Sequence, residues 1–171
     1  MIRVLGAILL LSGAAGWGLR SIVRLRGRAQ TLTAIAASLT WMETEIRAQM
    51  TPTPELLELL ARESAYPADA FYRQVLSGMK QLGERPFAEV WRTSLLHTPG
   101  LVLEPGDTLL LAELGVSLGK YDADAQAQAV RHVRQRAELL SREACAARDR
   151  DSRVHAAAGV AAGVFAVMIL L

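Results

Sequence analysis

The sequence contains a single cysteine, Cys145, and few aromatic residues, which make up 5% of the chain. One cysteine excludes an intramolecular disulfide framework and fits a reducing compartment for the middle of the chain. The net charge is also small, at a formal +2, and the basic residues are interleaved with acids. Because single-stranded nucleic acids bind to basic grooves lined with aromatic side chains, this pattern argues against a nucleic-acid partner.

Motifs for catalysis or metal binding are likewise missing. The three histidines, His97, His132 and His155, lie far apart in the sequence, so we expect no metal site. The segment "GVSLGKY" at residues 115–121 has the wrong glycine spacing for a phosphate loop, and it carries Tyr121 where a serine or threonine would ligate magnesium. The sequence therefore predicts neither an enzyme nor a cofactor-binding protein.

Charge is absent from both ends of the chain, in residues 4–19 and in residues 156–171. A bilayer core takes about 20 helical residues, with a lower limit near 17, so each run is long enough once its flanking residues contribute. Arginines follow the first run at positions 20, 24, 26 and 28, and others precede the last run at 148, 150 and 153. By the positive-inside rule, both sets place the middle of the chain in the cytoplasm. We predict transmembrane helices at residues 1–19 and 156–171, with a cytoplasmic domain at 20–155.

Small residues within the two apolar runs would let the predicted spans pack closely. Gly159 and Gly163 form a GxxxG step, and Gly16 belongs to a small-xxx-small step in the first run. Two other interpretations stay open. The runs are long enough to be core helices, although a domain of this size would have difficulty covering both. Alternatively, the first run is a secretory signal, with the mature chain beginning near residues 16–18.

The middle of the chain has a pattern typical of helices alone. Apolar residues at alternating spacings of three and four form a seam of the coiled-coil type in residues 29–49, comprising Leu32, Ile35, Leu39, Met42 and Ile46. A second seam follows the helix cap at Asp122 and comprises Val130, Val133, Ala137, Leu140, Ala144 and Ala147. Glu43 and Glu45 fall off the first seam, so we expect both to be solvated. The two seams are expected to pair as long antiparallel helices.

Prolines and glycines divide the segment between these long helices into four short ones. Pro52 ends the first long helix, Thr53 is expected to cap the next, and Pro54 suits a first helical turn. Residues 97–107 are predicted as a loop, and residues 109–118 as a helix that ends at Gly119. The predicted fold is all-α, a six-helix cytoplasmic bundle whose long first and last helices continue toward N- and C-terminal transmembrane helices.

Two segments resemble the stage III sporulation protein AB family. Residues 41–61, "WMETEIRAQMTPTPELLELLA", resemble the family's glutamate, threonine-proline and leucine-rich helix signature. Residues 111–130, "LAELGVSLGKYDADAQAQAV", are similar to a second segment of the family, in which glycines are followed by an aspartate and a glutamine. The apolar ends match as well, so the resemblance covers essentially the whole chain.

The resemblance implies a function that composition does not supply. Family members act in the mother-cell membrane that faces the forespore, within a channel-like complex, and they resemble the cytoplasmic domains of type II secretion and type IV pilus platform proteins. The implied role is a membrane scaffold that couples a secretion-type ATPase, stage III sporulation protein AA, to the membrane proteins of the complex. Homo-oligomerisation is left open. The residues carried over as candidate partner contacts are Glu43, Glu45, Thr51, Pro52, Gly119, Asp122, Asp124 and Gln126.

One alternative function belongs to a different class. A helical membrane protein of envelope maintenance, without an ATPase partner, would have the same sequence pattern. It would be expressed in growing cells and its loss would cause a phenotype there, which distinguishes it from a sporulation scaffold.

Overall fold

The computed structural model describes the backbone of residues 2–48, 51–80, 83, 85–118 and 122–170, and side chains over 23–48, 51–80, 83, 85–118 and 122–151. The helices in these residues are α1 (Ile2–Ala48), α2 (Thr53–Glu63), α3 (Ala68–Met79), α4 (Phe87–His97), α5 (Pro105–Leu118) and α6 (Ala123–Leu170). The predicted all-α architecture with six helices is thereby confirmed for the part of the chain described.

Helices α1 and α6 are the longest, with 47 and 48 residues, and they run antiparallel. The hydroxyl groups of Thr33 and Ser141 are 2.8 Å apart, and Arg131 Nε lies 2.8 Å from Glu43 Oε1. The later residue of α1, Glu43, thus contacts the earlier residue of α6, Arg131, which means that the two helices run in opposite directions. The predicted antiparallel pair of long helices is confirmed.

The two apolar seams lie in the core, as predicted. All five residues of the α1 seam are buried, and so are Val130, Val133, Ala137 and Ala144 of the α6 seam, whereas Leu140 and Ala147 are partly exposed. Burial of each leucine or isoleucine side chain stabilises the fold by about 1.5–3 kcal/mol relative to exposure. The seams are therefore the main contact between the first and last helices.

The links between the short helices define the two ends of the bundle. Gln30 Nε2 donates to the carbonyl of Tyr66 in the α2–α3 link at 3.4 Å, and the Val102 amide in the α4–α5 link donates to Thr31 Oγ1 at 3.0 Å. Both links thus lie beside the part of α1 that directly follows the N-terminal uncharged run. We call this end of the bundle the proximal end. The distal end comprises the end of α1 at Ala48 and the first residues of α2 and α6.

Helix α5 begins earlier than predicted, so the loop assigned to residues 97–107 is too long. Pro105 is the first residue of α5, where its missing N–H is not needed. Asp107 Oδ2 accepts a hydrogen bond from the Glu104 amide at 2.9 Å, which satisfies a donor at the helix start in the manner of a capping box. The same carboxylate receives Arg28 Nε at 2.7 Å and Nη2 at 2.9 Å, so it also fastens α5 to α1.

The start of α2 differs from its prediction by one residue. The Pro52 carbonyl accepts the amide of Leu56 at 3.0 Å, which makes Pro52 the residue in the cap position. Thr53 is the first helical residue and makes no side-chain cap, contrary to expectation. Pro54 lies in the first turn, as predicted, because the amides there have no partner within the helix.

An aromatic cluster joins α3 and α4 in the core. The rings of Phe71 and Trp91 meet edge to face with centroids 4.8 Å apart, and Phe87 lies 5.9 Å from Trp91. Trp91 Nε1 donates to the Leu111 carbonyl at 2.8 Å. A Cβ atom on Gly115 would approach the Trp91 ring to 2.6 Å, so the absence of a side chain there lets α5 pack against the indole.

Candidate partner interface

The distal end brings the two family motifs together. Glu43, in the first motif, contacts Arg131, just after the second motif. From these positions α1 extends five further residues to Ala48, and α6 extends back eight residues to Ala123. At 1.5 Å per residue, the two helix ends lie about 8 and 12 Å beyond the Glu43–Arg131 contact, in the same direction.

Glu43 is held between two arginines, so the prediction that it is solvated was wrong. Its side chain is 13% exposed, and its two oxygens accept from Arg131 Nε at 2.8 Å and from Arg134 Nε at 2.9 Å. Arg47 Nη1 lies 3.7 Å from the same carboxylate, and Arg134 also contacts Glu138. The reason is geometric: Glu43 flanks the seam on the side that faces α6.

The electrostatics favour the charged form of this cluster. Burial by itself raises the pKa of Glu43, but the hydrogen bonds and charges of Arg131 and Arg134 outweigh burial, so the pKa lies below its ordinary value. The hydrogen bond to Glu43 raises the pKa of Arg134. Glu43 is therefore an anchor between α1 and α6 rather than a free acid for a partner.

Sequence reasoning missed the two arginines of this cluster. Arg131 and Arg134 are three residues apart and share one face of α6, and that spacing is visible in the sequence. What the spacing does not reveal is the register of α6 against α1, which decides whether Glu43 or Glu45 meets them.

Two other residues of the first motif lie at the turn after α1. Thr51 Oγ1 donates to Glu45 Oε2 at 3.1 Å, which ties the entry of α2 back to the last turns of α1. Pro52 is exposed. Thr51 and Glu45 therefore have a local structural role, and Pro52 presents its ring at the surface.

The residues of the second motif surround the start of α6. Asp122 Oδ1 accepts from the amides of Asp124 at 3.0 Å and Ala125 at 3.3 Å, so the predicted cap is confirmed. Asp124 is exposed in the first turn, while Gln126 is partly buried and engaged in an interaction. Gly119 lies outside the described residues.

We expect Glu43→Gln to lower the free energy of unfolding by about 1.5–3 kcal/mol, the range for hydrogen bonds to charged groups. The amide keeps the size of the side chain but removes the charge that both arginines need. Chemical denaturation of the full chain in detergent micelles measures the change, and Glu58→Gln, an exposed acid on α2, serves as the control. Unchanged stability in Glu43→Gln would contradict the role of Glu43 as an anchor.

Among the residues whose side chains are described, no helical stretch is long and apolar enough to cross a membrane. The predicted spans at 1–19 and 156–171, with their packing residues Gly16, Gly159 and Gly163, lie outside the residues whose side chains are described. The same described part contains no group of three or more histidine, cysteine, aspartate or glutamate residues that could hold a metal ion.

Comparison with known proteins gives two matches. The family model of Stage III sporulation protein AB matches residues 3–171. A solved structure titled "Stage III sporulation protein AB (SpoIIIAB)" has a TM-score of 0.62 and 19% sequence identity, over 72% of this chain and 97% of that one. At this identity the structural match shows a shared fold, and no curated protein sequence matches. Since the family model covers nearly every residue, the chain belongs to the stage III sporulation protein AB family, whose members take part in sporulation.

Proposed function

We propose that the chain is a non-enzymatic scaffold of the sporulation channel complex, held in the mother-cell membrane by both of its ends. In this proposal it couples a cytoplasmic secretion-type ATPase, stage III sporulation protein AA, to the membrane proteins of the complex. The observation that carries the proposal is the antiparallel pairing of α1 and α6, the two helices that lead to the uncharged runs.

The pairing gives both runs the same direction. Residues 4–19 precede the proximal part of α1, and residues 156–171 follow the proximal part of α6, so both extend from the proximal end of the bundle. Extending the observed register along the two helices sets Gly16 opposite residue 158, beside Gly159. Small residues at such a crossing favour close helix packing in lipid, which supports a membrane hairpin.

The distal end is the part of such a hairpin that a cytoplasmic ATPase would reach. It carries an exposed proline and an exposed acid, Pro52 and Asp124, from the two family motifs. Glu43, Glu45, Thr51 and Asp122 are engaged within the chain, so we assign them to holding this surface in shape. We propose Pro52 and Asp124 as direct contacts of the partner.

We expect Asp124→Lys to weaken ATPase binding at least about tenfold, which corresponds to about 1.4 kcal/mol. Asp122 retains the helix cap in this variant, so the fold is preserved. The test measures binding of the purified ATPase to the full chain in lipid nanodiscs. The matched control is Glu63→Lys, an exposed acid near the proximal end of α2, which should bind as the wild type does.

Equal binding by both variants would remove Asp124 from the interface. No binding of the wild-type chain at high micromolar ATPase would count against the scaffold itself. A phenotype of gene loss in growing cells, together with that result, would favour the alternative of an envelope protein without an ATPase partner.

A further inference from the structure

A groove runs along the exposed face of α1 at the proximal end of the bundle. Its volume is about 720 Å³. The α1 helix supplies Ala29, Thr33 and Ala37, while Tyr66 of the α2–α3 link and Cys145 of α6 also line it. The groove is open to solvent along its length, so a ligand can enter without a change in the fold.

Two arginines give this groove its charge. Arg26 of α1 and Arg148 of α6 both line it, and the described residues that line the groove include no aspartate or glutamate. Arg26 is exposed and has no ion-pair partner among the described residues. Two guanidinium groups on opposite helices, facing one groove, are suited to binding a phosphate group through charge-assisted hydrogen bonds.

Arg148 is available for such a ligand. It contacts Asp149 at 2.9 Å, but both side chains reach the solvent, being 43% and 59% exposed. Solvent-exposed ion pairs of this kind contribute little to stability, so a phosphate can replace Asp149 as the partner of Arg148. Arg28, in contrast, is committed to the buried Asp107 and would not serve.

The position of the groove indicates the source of the phosphate. Arg26 follows the N-terminal apolar run by seven residues, and Arg148 precedes the C-terminal one by eight, which is about 10 and 12 Å along each helix. The headgroup layer of one leaflet is about 5–8 Å thick, and arginine side chains extend toward it from just outside. Both guanidinium groups therefore lie within reach of lipid phosphates.

We propose that this groove binds the headgroup of an anionic phospholipid, with the phosphate held between Arg26 and Arg148. The inference rests on the membrane hairpin of the proposed function. On the side of the phosphate that faces away from the membrane, the Thr33 and Tyr66 hydroxyl groups offer further hydrogen bonds to the polar headgroup, while the glycerol and acyl chains extend toward the bilayer. The bound lipid would join α1 to α6 at the membrane surface.

The test compares full-length variants in nanodiscs made of phosphatidylglycerol and phosphatidylcholine in equal amounts. Native mass spectrometry after release from the nanodisc counts the phosphatidylglycerol molecules retained. We expect Arg26→Gln/Arg148→Gln to retain at least about fivefold less of this lipid than the wild type. The control, Arg142→Gln/Arg150→Gln, removes the same charge from exposed positions that do not line the groove, and it should retain the wild-type amount.

If both double variants lose the same amount of phosphatidylglycerol, the lipid is retained by overall positive charge and not by the groove. If both retain the wild-type amount, the groove does not bind this lipid, and an acidic protein segment becomes the candidate ligand. Either result overturns the lipid site. Membrane insertion is scored separately, by resistance of each variant to alkaline extraction. An inserted chain without lipid selectivity contradicts the groove proposal alone, whereas a wild-type chain that fails to insert contradicts the membrane hairpin and the groove proposal with it.

Discussion

Replacing Asp107 by alanine is expected to lower the free energy of unfolding by about 3–5 kcal/mol, the usual cost of breaking a buried ion pair. The Asp107 side chain is 2% exposed and that of Arg28 is 16% exposed. Without the carboxylate, the Arg28 guanidinium loses both of its hydrogen-bond acceptors and keeps only the half-exposed Glu104 carboxylate at 3.6 Å, and the Glu104 amide loses its partner at the start of α5. Chemical denaturation of the full chain in detergent micelles measures the loss.

The control for this substitution is Asp124→Ala. It removes the same side chain from the first turn of another helix, but at an exposed position, so its cost should be about 0.3–1 kcal/mol. If the two variants lost similar amounts of unfolding free energy, Asp107 would stabilise the fold only as an acid in the first turn of a helix, and its contact with Arg28 would contribute nothing.

The cost of Asp107→Ala should also depend on pH. Burial by itself raises the pKa of Asp107, but the hydrogen bonds from Arg28 and from the Glu104 amide, with the Arg28 charge, outweigh it and lower the pKa. A carboxyl group of this kind stabilises the fold above its unfolded pKa of about 4, and the contribution is lost as pH falls through the folded pKa. The difference between wild type and variant should therefore be full at neutral pH and shrink below about pH 4. A difference that stays constant in acid would contradict the ion-pair explanation.

Trp91→Ala is expected to lower the free energy of unfolding by about 3–5 kcal/mol as well, through loss of buried contacts and creation of a cavity. The Trp91 side chain is 1% exposed and packs among Phe71, Phe87 and Gly115. Its removal also leaves the Leu111 carbonyl without the indole donor. Thermal unfolding followed by circular dichroism in detergent micelles detects the change as a lower midpoint.

Trp41→Ala provides the matched control, because Trp41 is 50% exposed on the outer face of α1. Its effect should stay within about 0.5 kcal/mol, as for surface substitutions in general. A comparable loss in Trp41→Ala would indicate that the outer face of α1 is covered in the full chain, and the assignment of Trp91 as the central aromatic residue would need revision.

The sequence allowed the helices and their buried faces to be predicted, because apolar residues at spacings of three and four report directly on which side of a helix avoids water. Leu32, Ile35 and Val130 lie in the core for this reason. The role of Asp107 was missed, although Pro105 followed by an acid two residues later is a recognisable helix start. Its second partner, Arg28, is 79 residues away and has no local signal.

The partner contacts of the candidate interface stay a prediction, unlike the fold. A resemblance identifies positions without saying whether a side chain faces a partner or another part of the same chain. Glu43 illustrates the difference, because its carboxylate is occupied by Arg131 and Arg134. Only the register between α1 and α6 reveals this, and that register depends on the packing of both seams at once.

The pairing of the first helix with the last has a consequence for how the chain folds during synthesis. Glu43 and Arg131 are separated by 88 residues, which a ribosome adding about 5–20 residues per second needs about 4–18 s to make. During that interval the apolar seam of α1 has no α6 to cover it, while α2 and α3 can already pack against each other. Contacts of such long sequence separation are formed late and slow the final step. The nascent chain therefore exposes the apolar seam of α1 until its last helix emerges. Truncation within α6 should lead to aggregation or degradation rather than to a smaller stable bundle.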